Sequence, residues 1–488
     1  MPRLRSLVIG YLGTLALLVL SCGTSGAQKE SNPGATPLSV GQIIESVPCA
    51  EDPAETYALY LPSGYSSEKS WPIIYAFDPG ARGKIPVRLY KDVVEKYGYI
   101  IAASNNARNF QPEVVMNAAK AMWKDTHVRL RLDQRRVYMM GFSGGARVAT
   151  ELAVRCEQCA VAGVVAHGAG YPFPPSDKER FAYFAFIGDK DFNWPEMMEL
   201  RRRKEEYRAP FRLRVFQGEH HWAPPEVFDE AIAWFQLKAM QMGIVPPDSA
   251  FIDQQLARTQ KEAEDALQRK DTITQFEAYR SIASDFSGLR DVSPYRAKLG
   301  ALQTSPELKQ ALKKEQEAID QQRALTQELS SDLQELGEAE LDAQQTLRAA
   351  ILDGMSRLKE KAAHAKDDGT RLISTRAFNE LWVEGIEAGQ AELANHRQLT
   401  KAELYFRLMS SIAPDEPWPA LLLAETAAAG GNKKGACKDL REAIRRGVKN
   451  PDTIEQDANL QSLRNEPEFQ QIVAELRAKR ESQPEQEH

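Results

Sequence analysis

The feature that most restricts the fold of this chain is a change of grammar partway along it. Between residues 37 and 244, short apolar runs rich in β-branched and aromatic residues alternate with helical stretches. The runs at 56–61, 72–77, 99–104, 136–141, 161–166, 182–187 and 211–216 read as strands. Those at 88–96, 114–126, 144–154, 196–207 and 225–242 read as helices. Strands this uniformly apolar must be covered on both faces, and a helix between successive strands supplies the cover. The expectation is an α/β domain with a mostly parallel sheet and helices on both faces. From about Pro247 onward Glu, Lys, Gln, Ala and Leu dominate and no run reads as a strand, which predicts a following all-α helical-repeat region.

Within that second half, 245–304 reads as a helical linker with repeat-like character. Residues 305–370 form a highly charged stretch broken by Gly337 and Gly354, either a long helix or a helical hairpin. In 371–480 a period of 34 residues relates Ala402, Phe406 and Met409 to Ala436, Leu440 and Ala443. Small alanines let two helices approach and the larger residues fill the groove between them, a pattern that resembles tetratricopeptide repeats. Residues 481–488 read as a disordered tail.

Lys plus Arg number 62 and Asp plus Glu 68, a formal charge of −6. This mildly acidic balance speaks against nucleic-acid binding, which calls for a basic face. At the N-terminus Arg3 and Arg5 precede an apolar run at 7–20, shorter than the roughly 20 residues a bilayer-spanning helix needs. Residues 1–21 therefore read as a secretory signal. The sequence Val19-Leu20-Ser21-Cys22 resembles the bacterial lipoprotein signal, which implies lipidation at Cys22, a flexible tether over 22–36 and a protein held at the cell envelope, facing the periplasm. Simple secretion, with cleavage after Ser25-Gly26-Ala27, is the alternative.

Chemistry enters at Gly141-Phe142-Ser143-Gly144-Gly145, a G-x-S-x-G sequence between a strand and a helix. On such a turn the serine backbone is strained, and the flanking glycines remove side chains that would collide. The hydroxyl is left at a helix N-terminus, where the dipole favours developing negative charge. A serine nucleophile needs a base, and seven histidines are present. His220 and His221 follow the strand at 211–216 and lie downstream of an acid. The acid should follow the strand at 182–187, where Gly188-Asp189-Lys190-Asp191 offers two aspartates.

The chain order serine, acid, histidine, each after its own strand, resembles the α/β-hydrolase family over roughly 55–242, and most closely its compact esterases of dienelactone-hydrolase and feruloyl-esterase type. The resemblance selects Asp191, three residues after its glycine, and His220, two before Trp222. Glu219 stands where a second glycine is usual. It implies a Ser143, Asp191, His220 triad and an oxyanion hole made by Gly144 and a donor in the 78–83 loop. Gly80 is the choice there, since Pro79 has no N–H, with Ala81 as the alternative. Arg82, Asn105, Asn106 and Trp222 are candidate substrate contacts on the same rim. Trp194 and Trp222 read equally as pocket platforms or core. Cys156 and Cys159, in an exported protein, read as a local disulfide. No metal-ligand cluster or dinucleotide fingerprint stands out, so no cofactor is implied.

Two functions follow. One is an exported serine hydrolase acting on a small-molecule or polymer ester, with the helical region docking a protein partner; a thioesterase or peptidase would use the same triad. The other is a non-catalytic envelope scaffold.

Overall fold

The computed structural model describes residues 38–482, apart from 157–158, 175–179, 204–209, 395–397 and 456. The expected signal at 1–21 and the tether at 22–36 with Cys22 lie outside the described residues, as does the expected tail at 481–488 except for Glu481 and Ser482, which end the last helix. Eight strands form one sheet: β1 (Ile43–Pro48), β2 (Thr56–Tyr60), β3 (Trp71–Phe77), β4 (Ile100–Ser104), β5 (Leu132–Phe142), β6 (Val161–His167), β7 (Ala182–Gly188) and β8 (Phe211–Phe216). Between and after them run α1 (Lys84–Tyr97), α2 (Pro112–Arg129), α3 (Gly144–Arg155), α4 (Trp194–Arg202) and α5 (Pro225–Gln241).

The strand order is β1-β2-β4-β3-β5-β6-β7-β8. β2 runs antiparallel to both β1 and β4, and the other pairs are parallel. Every residue of β3, β4 and β7 is buried, as their unbroken apolar sequences require. This is the α/β-hydrolase arrangement that the sequence predicts. The chain leaves β3 to one side for β4 and returns on its other side with β5. The order thus reverses beside β3, the kind of switch point beyond whose strand ends open α/β sheets place their sites. Strand β1 was not expected: Glu45, Ser46 and Pro48 interrupt its apolar pattern, and they are tolerated because it is an edge strand exposed at those positions.

The rest of the chain is helical: α6 (Ser249–Gln268), α7 (Thr272–Asp285), α8 (Ser293–Gln303), α9 (Pro306–Leu336), α10 (Leu341–His364), α11 (Asp368–Ala394), α12 (Leu399–Ile412), α13 (Trp418–Ala429), α14 (Lys433–Arg446), α15 (Pro451–Glu455) and α16 (Pro467–Ser482). The charged stretch folds as a hairpin of α9 and α10, turning at 337–340. Gly354 does not break α10; it lets Leu329 of α9 pack against the helix backbone, where a Cβ would collide with that side chain. Ala402, Phe406 and Met409 in α12 and Ala436, Leu440 and Ala443 in α14 are all buried.

The helical half packs on the sheet domain rather than standing away from it. Ile319 of α9 is fully buried within the core cluster of the sheet domain. Leu237 and Met240 of α5 share a cluster with Ile252, Ala263, Tyr279, Ile282 and Phe286 of α6, α7 and the turn after them. Asp285 accepts ion pairs from Lys238 at 2.7 Å and Arg212 at 2.6 Å. One face of the region expected to dock a partner is therefore occupied by its own chain. Among the described residues no helix is long and apolar enough to cross a membrane.

Candidate active site

Ser143 stands at the junction of β5 and α3 with φ 52° and ψ −122°. A non-glycine residue rarely adopts this region, and holding one there costs about 1–3 kcal/mol. The surrounding backbone fixes the strain. Ser143 N–H donates to His167 O at 2.8 Å, and Ser143 O accepts from Ala146 N–H at 2.9 Å. A Cβ at Gly141 would strike Gly145 O, and one at Gly145 would strike Phe77 O, so both glycines are required by close backbone approach. Strand β5, the 78–83 loop after β3 and the N-terminus of α3 are thereby brought into contact.

The loops after β7 and β8 continue the register of their strands. Asp189 N–H donates to Phe216 O, and Lys190 N–H to Gly218 O, at 2.8 and 2.9 Å. The carboxylate of Asp189 accepts from Gly218 N–H at 3.0 Å, so this aspartate braces the histidine loop. Asp191, 1 % exposed, faces the other way. Its Oδ2 lies 2.8 Å from His220 Nδ1 and its Oδ1 accepts from Asn193 N–H at 2.9 Å. The His220 ring sits between Phe142 and Phe192, at centroid distances of 4.6 and 4.3 Å. Gly168 closes the contact, since a Cβ there would lie 3.0 Å from the ring. His221 is exposed, and its Nδ1 lies against Trp222 O at 2.6 Å.

His167, at the end of β6, is fully buried among Tyr90, Phe186 and Trp222, and its Nδ1 accepts from Ala223 N–H at 3.2 Å. Burial pushes its pKa down to about 3, so the ring is neutral. It carries structure, with its backbone carbonyl holding the serine turn.

Several expected contacts take other partners. Gly80 N–H donates to Asp78 Oδ1 at 2.9 Å, and Ala81 N–H to Asp78 O at 3.1 Å. Both loop N–H groups expected as oxyanion donors are thus held by Asp78. Arg82 is paired with Asp78 at 2.7 Å and braces the loop. Asn105 and Asn106 are bound to the β1–β2 side: Asn105 Nδ2 donates to Glu45 O, and Asn106 Oδ1 accepts from Thr56 N–H. The Trp222 ring is buried, its Nε1 donating to Asp78 Oδ2 at 3.2 Å. Buried Asp78 thus ties the loop after β3 to the loop after β8. Gly144 begins α3, leaving its N–H without an intrahelical partner. Cys156 and Cys159 are joined by a disulfide.

Asn109, not singled out in the sequence, borders the serine turn. Its carboxamide lies against Gly144, where a Cβ would collide with it, and its N–H donates to Pro79 O at 3.0 Å. The signal was present in the Asn-rich run after β4, but only the loop pairing selects the fifth residue after Ser104 over its neighbours.

The helical half also reaches this rim. Arg147 and Glu196 form a two-pronged pair at 3.0 and 2.8 Å beside Gly170. Glu387 of α11 is half-buried near Arg147 and His220. Burial raises its pKa, and those two groups pull it down. Glu380, one face-turn pair earlier on α11, is pushed up to about 7 by burial, against the hydrogen bonds it accepts from Gln322 and Thr326. Among the described residues no group of His, Cys, Asp and Glu side chains is arranged to hold a metal ion.

No protein-family model and no curated protein sequence matches the chain. Similar solved structures include a fluorophosphonate-binding serine hydrolase F from Staphylococcus aureus, at 13 % identity and a TM-score of 0.34, covering 40 % of this chain and 99 % of its own. Est1E from Butyrivibrio proteoclasticus shares 12 % identity at a TM-score of 0.31, with 38 % and 95 % covered. A hyperthermophilic esterase from Pyrobaculum calidifontis shares 10 % at 0.34, with 42 % and 88 % covered. Likenesses this distant carry no argument about chemistry, which must come from the side chains.

Proposed function

We propose that this chain is a serine hydrolase that cleaves a carboxylic ester through Ser143, His220 and Asp191, in a protein exported and lipid-anchored at Cys22. The observation that carries the reading is the 2.8 Å contact between His220 and a buried Asp191, on the same rim as a serine held at positive φ. In this mechanism His220 Nε2 takes the Ser143 hydroxyl proton as Oγ attacks the acyl carbon. Asp191 fixes the tautomer and stabilises the imidazolium. The tetrahedral oxyanion is received by Gly144 N–H, and Asn109, lying against Gly144, supplies the second donor in place of the 78–83 loop. His220 then returns the proton to the departing alcohol, and water releases the acyl group by the same route.

Wild-type protein is expected to take up a fluorophosphonate probe covalently, and Ser143→Ala to take up none. A folded wild type that remains unlabelled would sink the hydrolase reading in favour of a binding scaffold. For the oxyanion assignment, Asn109→Ala should lower kcat by roughly 100-fold with little change in KM, as the loss of one oxyanion donor does. Steady-state kinetics on a p-nitrophenyl ester checks this, and an unchanged kcat would return the role to the backbone.

A further inference from the structure

The segment carrying Asp191 is held from outside its own domain. Arg376 of α11 is 3 % exposed, and its Nε–H donates to Asp189 O at 2.6 Å. Its guanidinium lies 3.9 Å above the centre of the Trp194 ring. Asp189 and Trp194 bracket Asp191 in sequence. From α9, fully buried Gln322 donates through Nε2 to Phe192 O at 3.0 Å. Phe192 in turn packs on His220. Two buried side chains, from two helices nearly 190 and 130 residues away, therefore grip both sides of the acid.

A buried guanidinium is costly to place. Burial pulls Arg376 down to about 10, while Asp189, Asp191 and Glu315 favour its charged form. A charge-assisted bond to a backbone carbonyl, with the flat face stacked on Trp194, fixes both direction and distance in a way an apolar contact would not.

We propose that Arg376, assisted by Gln322, is a positioning residue of the hydrolase site: the helical half clamps the 189–194 segment so that Asp191 meets His220 Nδ1. The inference rests on the hydrolase reading for its kinetic consequence, though not for the hold on Asp191 itself. The helical region is then part of the catalytic apparatus.

The test uses the full chain with Arg376→Met, and with Gln322→Leu as a second, uncharged variant should the first not fold. Two readouts are taken on folded protein: kcat and KM on a p-nitrophenyl ester, and the low-field proton resonance of the His220–Asp191 hydrogen bond, identified by its loss in His220→Gln. The expected result is a fall in kcat on the order of 10- to 100-fold with KM nearly unchanged, as misplacement of a catalytic group produces, together with a shifted or broadened resonance. A wild-type kcat and an unmoved resonance in either folded variant would overturn the proposal. If wild type proves to hydrolyse no ester, the function reading fails, and the resonance alone decides whether the clamp exists.

Discussion

Asp191→Asn should lower kcat by about 10⁴-fold while leaving the protein folded. The magnitude follows from the two hydrogen bonds of the carboxylate. Oδ1 accepts from Asn193 N–H at 2.9 Å, and Oδ2 faces His220 Nδ1 at 2.8 Å. An asparagine keeps its oxygen on the Asn193 N–H, because its amide group cannot accept there. Its NH₂ is then directed at His220 Nδ1, which must become an acceptor. The ring proton moves to Nε2, and the nitrogen that should take the Ser143 proton already carries one. The backbone hold on the segment is untouched, so the melting temperature should stay close to wild type. Single-turnover and steady-state kinetics at neutral pH measure the effect. A loss of less than tenfold would remove Asp191 from the triad and point to Asp189, whose carboxylate instead binds Gly218 N–H.

Removing residues 247–488 should destroy the active protein rather than release a free hydrolase domain. Ile319 fills the core of the sheet domain, and Leu237 and Met240 pack into a cluster built with the helices that follow. Each such side chain contributes roughly 1.5–3 kcal/mol by burial. The same cut separates Arg212 and Lys238 from Asp285, and Arg214 from Glu262, leaving cations that were half-buried or deeper without these partners. Arg214 keeps Glu230, and the uncovered cations turn to water, so the main loss is the apolar contact. These burial losses are comparable with the stability of an ordinary domain, about 5–15 kcal/mol. The truncated chain is expected to be insoluble or to lack a cooperative thermal transition, and to take up no fluorophosphonate. A soluble fragment that melts cooperatively and labels at the wild-type rate would show instead that the helical half is an independent arm.

The two predictions divide the molecule along the line between what was legible in its sequence and what was not. The parallel strands were legible because residues buried on both faces must be apolar throughout, as in β3 and β7. The serine turn was legible because close backbone approach admits only glycine at 141 and 145. Edge strand β1 was not, since burial on one side leaves little pattern to read. Gly80 was assigned from its loop position, yet its N–H is held by the side chain of Asp78.

What the sequence by itself determined is therefore the class of fold, the helical nature of the second half, and the residues Ser143, Asp191 and His220 as candidates in chain order. The fold class, the helices and the serine turn follow from local periodicity and backbone sterics, which act over a few residues; Asp191 and His220 were selected by the family resemblance. Only the tertiary structure decided that Asn109 rather than its neighbours lies on Gly144, that Asp189 braces while Asp191 faces the histidine, and that Arg376 and Gln322 reach the acid segment. Those contacts join residues far apart in the chain. No periodicity encodes them, because they depend on how the helices settle across the ends of the strands once both are folded.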